Sequence, residues 1–322
     1  MADGELDVLY TTYDDLVTRK KYESGTQRKN KRNHYGQIKL LCRLLKFIDL
    51  YITEPGVILY VGGTPGKNLD VWVPIVQNMG CRVIVWDPTK PIWSKRTAQN
   101  VEYHPDLFTD ERAEEFVAEC LESGEKVYLV SDIRRSVEGK TKRDKGYDVL
   151  FEQAVKKDMD LQKGWVLRFE EAGILLGYCL KFRAPYSHIE GYTYLPGTLH
   201  LQAYAPPSST EMFLCDSLPF SAGALTSPLS SPELDCGEIE ERLYYFNSVI
   251  RPASTTASSK AVIPQTSKRK KGRKNVGILY DQDGVLAMES IDPFYEILGF
   301  SSPEECLNEA FVSIQRVKKL YM

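Results

Sequence analysis

Four ionisable residues, far apart in the chain, could do chemistry together: Lys39, Asp132, Lys181 and Glu211. Asp132 directly follows the apolar run Lys126–Ser131, and Lys181 lies near the end of the run Ile174–Phe182. Glu211 opens a further strand-like stretch, and Lys39 falls on an amphipathic segment before the first strand. An amine beside a hydroxyl can steer or remove its proton when the amine is held neutral. Burial and a neighbouring like charge favour the neutral amine, and carboxylates oppose it. Two lysines and two acids therefore suit transfer of a group onto a poorly nucleophilic hydroxyl, a reaction that mainly requires alignment. Each residue also has a plain explanation. Lys39 fits a solvated helix face, Asp132 a turn before Arg134 and Arg135, Lys181 an edge strand, and Glu211 an ordinary surface acid.

A second cluster points to a ligand. Leu59-Tyr60-Val61-Gly62-Gly63-Thr64-Pro65-Gly66 sits where the first strand meets its helix. Glycines there let the backbone approach a ligand at the carboxyl end of the strand. Asp87 ends the next strand, where a carboxylate can bind ribose hydroxyls. The G-x-G-x-x-G form that cradles a dinucleotide pyrophosphate is absent. The combination favours a nucleoside ligand without a pyrophosphate, such as S-adenosylmethionine; an ordinary strand-to-helix turn is the alternative.

The elements that must position these residues follow from periodicity. Gly36–Tyr51 reads as a helix with Ile38, Leu41, Leu45 and Ile48 on one stripe and Lys39, Arg43 and Lys46 off it. Strands are predicted at Val57–Val61, Arg82–Trp86, Lys126–Ser131, Ile174–Phe182, Thr198–Tyr204 and Glu211–Asp216. Helices are predicted at Asn68–Met79, Asp110–Glu122, residues 146–171 and Ile239–Ile250. Strands alternating with helices predict an α/β fold: a doubly wound, mostly parallel sheet with helices on both faces and a Rossmann-like crevice. Residues 1–34 read as a basic arm partly ordered by packing and 35–250 as the domain. Residues 251–275 read as a basic, low-complexity linker and 276–322 as a C-terminal extension with a strand and one or two helices. Ser217–Gly237, rich in Ser, Pro and Gly, reads as a long loop.

Composition narrows the classes. The chain has 322 residues, 43% of them hydrophobic, enough for one large α/β domain with tails. The formal net charge is -3, yet Arg19-Lys20-Lys21 and the run Lys268–Lys274 concentrate cations. Such runs can hold RNA phosphates or simply be solvated tails. The seven cysteines include no Cys-x-x-Cys pair, and the four histidines lack metal-ligand spacing. This predicts a reducing compartment, no disulfide framework and no metal. The absence of a signal-peptide core and of any long apolar run predicts a soluble, intracellular protein without membrane attachment.

The order Lys39, Asp132, Lys181, Glu211 matches the Lys-Asp-Lys-Glu order of RNA 2′-O-methyltransferases. Six stretches, within residues 34–250 and in the correct order, narrow the match. They are Tyr35–Leu41, Tyr60–Gly66, Ser131–Arg134, Leu180–Tyr186, Ala205-Pro206 with Glu211-Met212, and Tyr244–Asn247. With them the chain resembles the poxviral cap-specific mRNA 2′-O-methyltransferases that also serve as the small, regulatory subunit of a poly(A) polymerase. The resemblance implies a Rossmann-like methyltransferase fold and S-adenosyl-L-methionine as cofactor. It also implies methyl transfer to the ribose 2′-hydroxyl of the first transcribed nucleotide of capped mRNA. Lys181 becomes the base or orienting group, Asp132 lies between it and the sulfonium, and Lys39 and Glu211 hold the network. Gln37, Tyr60, Gly62, Gly66, Asp87 and Asp132 would touch the cofactor. Tyr186 and, from the arm, Tyr22 (with Tyr13 as the alternative) would stack on the 7-methylguanine, Glu240 would bind its edge, and Arg134 and Arg183 would meet RNA. Three positions depart from the family: Thr89 stands for an Arg, Tyr186 for a Phe and His188 for an acid. Capped mRNA and the catalytic subunit of a viral poly(A) polymerase are the implied partners. The host cytoplasm, with the virion as a second location, is the implied place. Two alternatives remain beside this: a non-catalytic RNA-binding processivity factor, and a 2′-O-methyltransferase of uncapped structured RNA.

Overall fold

The computed structural model describes residues 10–21, 36–135, 137, 139, 144–185, 192–204, 209–217, 233–251, 282–307 and 309–310. These divide into two compact units: one within residues 1–46, 201–210 and 238–322, the other within 47–200 and 211–237.

The second unit holds a seven-stranded sheet. Its strands are β1 (Val57–Val61), β2 (Arg82–Trp86), β3 (Val101–His104), β4 (Val127–Ser131), β5 (Leu175–Arg183), β6 (Thr198–His200) and β7 (Glu211–Ser217). They lie in the order β3-β2-β1-β4-β5-β7-β6. The pairs β1–β2, β1–β4, β2–β3 and β4–β5 are parallel, whereas β5–β7 and β6–β7 are antiparallel. The order reverses between β1 and β4, which opens a crevice at their carboxyl ends. This is an α/β, mostly parallel, Rossmann-like arrangement. β1 and β4 are buried along their whole length, as their unbroken apolar runs require of strands covered on both faces.

Helices α2 (Leu69–Asn78), α3 (Lys95–Asn100), α4 (Asp110–Ser123) and α5 (Tyr147–Glu171) connect these strands. The Thr109 hydroxyl caps α4 by accepting the Arg112 N–H, and Gly124 ends the helix in the left-handed region at φ 72°. α5 buries Val155, Asp158, Met159, Gln162, Trp165, Val166 and Phe169 at helical spacing. Phe108 meets Trp165 edge-on at 5.1 Å and Phe116 meets Phe169 at 5.9 Å, joining α4 to α5.

The first unit contains segment 10–21, the greater part of α1 (Gly36–Tyr51), most of α6 (Cys236–Tyr245), the π-helical turn Phe246–Ile250 and α7 (Gln282–Ile291). Arg242 donates to the Leu16 carbonyl at 2.8 Å and sets its guanidinium over the Tyr13 ring, so the arm rests on α6. The buried Arg251 guanidinium pairs with both oxygens of Asp283 at 2.7 Å, fastening α7.

Several expectations need correction. β3 and α3 carried no clear period, being four and six residues long. The strand expected over Thr198–Tyr204 stops at His200, and Leu201 gives its N–H to Thr11 in the first unit. Arg43, placed off the apolar stripe of α1, is only 2% exposed, because α1 is buried nearly all round. The strand expected after residue 276 and the basic run 268–274 lie outside the described residues. None of the seven cysteines forms a disulfide. Among the described residues no helix is long and apolar enough to cross a membrane, and no group of His, Cys, Asp and Glu is arranged to hold a metal.

Candidate active site

The register of the sheet builds the site. Val61 pairs with Trp86 on one side and Ser131 on the other, and Ser131 pairs with Leu180. Trp86, Val61, Ser131 and Leu180 thus form one row across four parallel strands. The next residue on each strand is Asp87, Gly62, Asp132 and Lys181. Four residues singled out by type stand one step beyond a single row, at the carboxyl edge beside the switch in strand order.

They line a cavity of about 1040 Å³ together with Thr64, Thr89, Leu107, Phe108, Ile133, Arg134, Arg135, Asp158 and Trp165. Gly62 has φ 79°, and a Cβ there would meet the Asp132 carbonyl carbon and the Ile133 nitrogen at 3.0 Å. Only glycine lets the loops after β1 and β4 come so close. Gly66 has φ 68°, and a Cβ would strike the Gly63 oxygen and the Trp93 ring at 2.9 Å. Asp87 ties the glycine loop to the end of β2: its Oδ2 accepts the Thr64 N–H at 3.0 Å and its Oδ1 the Thr89 N–H at 2.7 Å.

At the other side of the crevice, Lys181 Nζ lies 3.3 Å from Asp132 Oδ1, with both side chains largely buried. Gln162 of α5 donates to the Lys181 carbonyl at 3.1 Å and so fixes that point of β5. Glu211 is reached through Arg134, whose guanidinium donates to it at 3.1 Å. A buried amine held by a carboxylate beside an open cavity can orient a substrate hydroxyl and receive its proton.

The remaining expected residues are placed as follows. Tyr60 is buried against Trp72 with centroids 6.2 Å apart. Arg183 is 3% exposed, ion-paired with Glu152 and set over the Phe151 ring. Gln37 and Lys39, both half-buried on α1, and Glu240, half-buried on α6, belong to the first unit. Tyr13 is there too, under Arg242. Tyr22, Tyr186 and His188 lie outside the described residues.

Asp158 was missed. It is completely buried on α5 and lines the cavity, accepting the Arg135 N–H at 2.8 Å and pairing with Arg135 Nε at 3.1 Å. Burial raises its carboxyl above the ordinary carboxylate value, against the pull of that N–H and the charges of Arg134, Arg135 and Lys181. The signal was readable: Asp158 and Gln162 interrupt an otherwise apolar helical stripe, and a polar residue there needs a partner.

Among solved structures, the chain is similar to a putative ribosomal RNA methyltransferase from Plasmodium falciparum, at 15% identity and TM-score 0.35, over 55% of this chain and 94% of that one. It is similar to a short chain dehydrogenase from Leptospira borgpetersenii with bound NAD+, at 18% identity and TM-score 0.29, over 38% of this chain and 48% of that one. A short chain dehydrogenase family protein from Francisella tularensis gives 16% identity and TM-score 0.24, over 38% and 47%. The chain spans about half the length of these two dehydrogenases. No curated protein matches. The family model of the poly A polymerase regulatory subunit matches residues 5–257, and the chain therefore belongs to the poly A polymerase regulatory subunit family.

Proposed function

We propose that this protein is a cap-specific mRNA 2′-O-methyltransferase that takes its methyl group from S-adenosylmethionine. The observation that carries the reading is the Lys181–Asp132 pair, 3.3 Å apart, in the cavity over the Gly62 loop. The cavity residues fit the cofactor. Asp87 retains lone pairs for a ribose diol, since a carboxylate offers roughly four acceptor sites and two backbone N–H groups occupy only part of them. The buried Thr64 hydroxyl has no partner among the described residues. Leu107, Phe108 and Ile133 offer apolar walls for a base. When bound, S-adenosylmethionine supplies a sulfonium methyl as electrophile. Asp132 holds the Lys181 amine at the edge of the crevice. Lys181 orients the ribose 2′-hydroxyl and receives its proton as the oxygen takes the methyl. Arg134 keeps Glu211 beside this group, and Lys39 of α1 is assigned to the same network on the resemblance of its motif.

Tyr186, Tyr22 and Glu240 remain the assigned cap residues, and the host cytoplasm the assigned compartment. Family membership supports a second, compatible role: partnership with a poly(A) polymerase catalytic subunit. The deciding experiment is methyl transfer from labelled S-adenosylmethionine to short capped and uncapped RNA, with the methylated position mapped. Label on the first-nucleotide 2′-oxygen of capped RNA alone is expected. Equal labelling of uncapped RNA would move the substrate elsewhere, and no transfer with RNA bound would leave the processivity role. Primer elongation by the cognate polymerase, with and without this chain, tests that role.

A further inference from the structure

Three arginines stand at the carboxyl ends of β4 and β5, and they are not equivalent. Arg134 is committed to Glu211, with 18% of its side chain exposed. Arg183 is committed to Glu152 and is buried. Arg135 differs, with 42% of its side chain exposed. Its backbone N–H donates to Asp158 at 2.8 Å, and its guanidinium is ion-paired with the same carboxylate, Nε lying 3.1 Å from Oδ1. Among the described residues its two terminal nitrogens have no partner.

Asp158 is what makes this arrangement informative. A carboxylate with no exposed surface is costly to the fold, and one exposed arginine offsets only part of the cost. Paired with Asp158 on its Nε side and anchored by its main chain, the guanidinium leaves its outer edge toward the cavity. That edge presents parallel N–H donors, which match two oxygens of a phosphate. Ordering the side chain before binding lowers the entropy lost on capture. Arg135, Asp158, Asp132 and Lys181 all line the same cavity, and the charges of both Arg135 and Lys181 act on Asp158.

We infer that Arg135, anchored by Asp158, is a phosphate-binding residue that takes a backbone phosphodiester next to the ribose presented to Lys181. The choice of nucleotide rests on the methyl-transfer reading; the phosphate contact itself does not. An oligonucleotide strand seated this way is pinned beside the lysine by a contact indifferent to base identity, as a substrate that varies in sequence requires.

The test is equilibrium binding of a short capped RNA by fluorescence anisotropy across a salt series, so that it reads independently of methyl transfer. Each phosphate neutralised on a single strand contributes about 0.7 to the slope of log K against log salt. Arg135→Ala should lower that slope by about 0.7 and weaken binding about tenfold at low salt. Lys126→Ala, which removes a cation just before the opposite end of β4, should leave the slope alone. Because Arg135→Ala leaves Asp158 buried without its partner, the double variant Arg135→Ala with Asp158→Asn is measured as well and should show the same slope. Asp158→Asn alone should keep the slope and weaken binding. S-adenosylhomocysteine affinity should stay within about twofold in all of them, by calorimetry. An unchanged slope in both Arg135 variants overturns the assignment. An unchanged slope with weakened S-adenosylhomocysteine binding would give Arg135 to the carboxylate of the cofactor instead. A lowered slope in a protein that transfers no methyl group would uphold Arg135 and sink the enzymatic reading.

Discussion

Lys181 and Asp132 are the residues on which the chemistry turns. Lys181→Met keeps the apolar stem and removes the amine. It should cost at least about a hundredfold in methyl-transfer turnover, measured at saturating cofactor and RNA, with cofactor binding retained. Normal turnover in that variant would remove Lys181 from the mechanism. Asp158 carries a pH signature. Its folded value is raised by burial above its ordinary 3.8. A raised acid stabilises the fold below the unfolded value, and that contribution is lost as pH rises through the raised value. Asp158→Asn escapes the loss, so its melting temperature relative to the parent should climb from acid to neutral pH. A difference that stays flat or runs the other way would show that Arg135 fully compensates the buried charge.

At the scale of elements, the glycine loop and the strand ends act as one unit. Asp87 joins them, because its two oxygens hold the N–H groups of Thr64 and Thr89. Asp87→Ala leaves both donors part-buried without an acceptor, a loss of about 1 to 3 kcal/mol each at most. The expected outcome is a lower melting temperature and at least about tenfold weaker S-adenosylhomocysteine binding, read by calorimetry. Weaker binding without a change in melting would mean that Asp87 acts on the ligand and not on the loop. Sequence alone found the central strands because β1 and β4 are buried throughout and β5 nearly so, with apolar runs interrupted in β5 only near its end, at Lys181. It missed β3, since Val101–His104 buries only Val101 and pairs on one side alone.

At the scale of the molecule, the first unit depends on the Arg251–Asp283 pair, where α7 meets the end of the π-helical turn. The pair is buried on both sides, so Arg251→Met strands a carboxylate and should destabilise by about 3 to 5 kcal/mol. Chemical denaturation followed by hydrogen exchange should report α7 opening first. The double variant Arg251→Met with Asp283→Leu should recover most of the loss. Failure to recover would show that hydrogen bonding to Asn247, and not the stranded charge, holds the helix.

By itself the sequence determined the α/β layering and the glycine turn over the first strand, and it singled out Asp87, Asp132 and Lys181 near the ends of their strands. Apolar period and residue type are local properties, and they survive without a fold. Only the tertiary structure decided that Asp87, Gly62, Asp132 and Lys181 stand one step past a common row, because register between strands is not written in any one of them. It also separated Arg135 from Arg134 and Arg183. Three arginines look alike in a string of letters, and which of them faces a buried carboxylate is settled by packing alone.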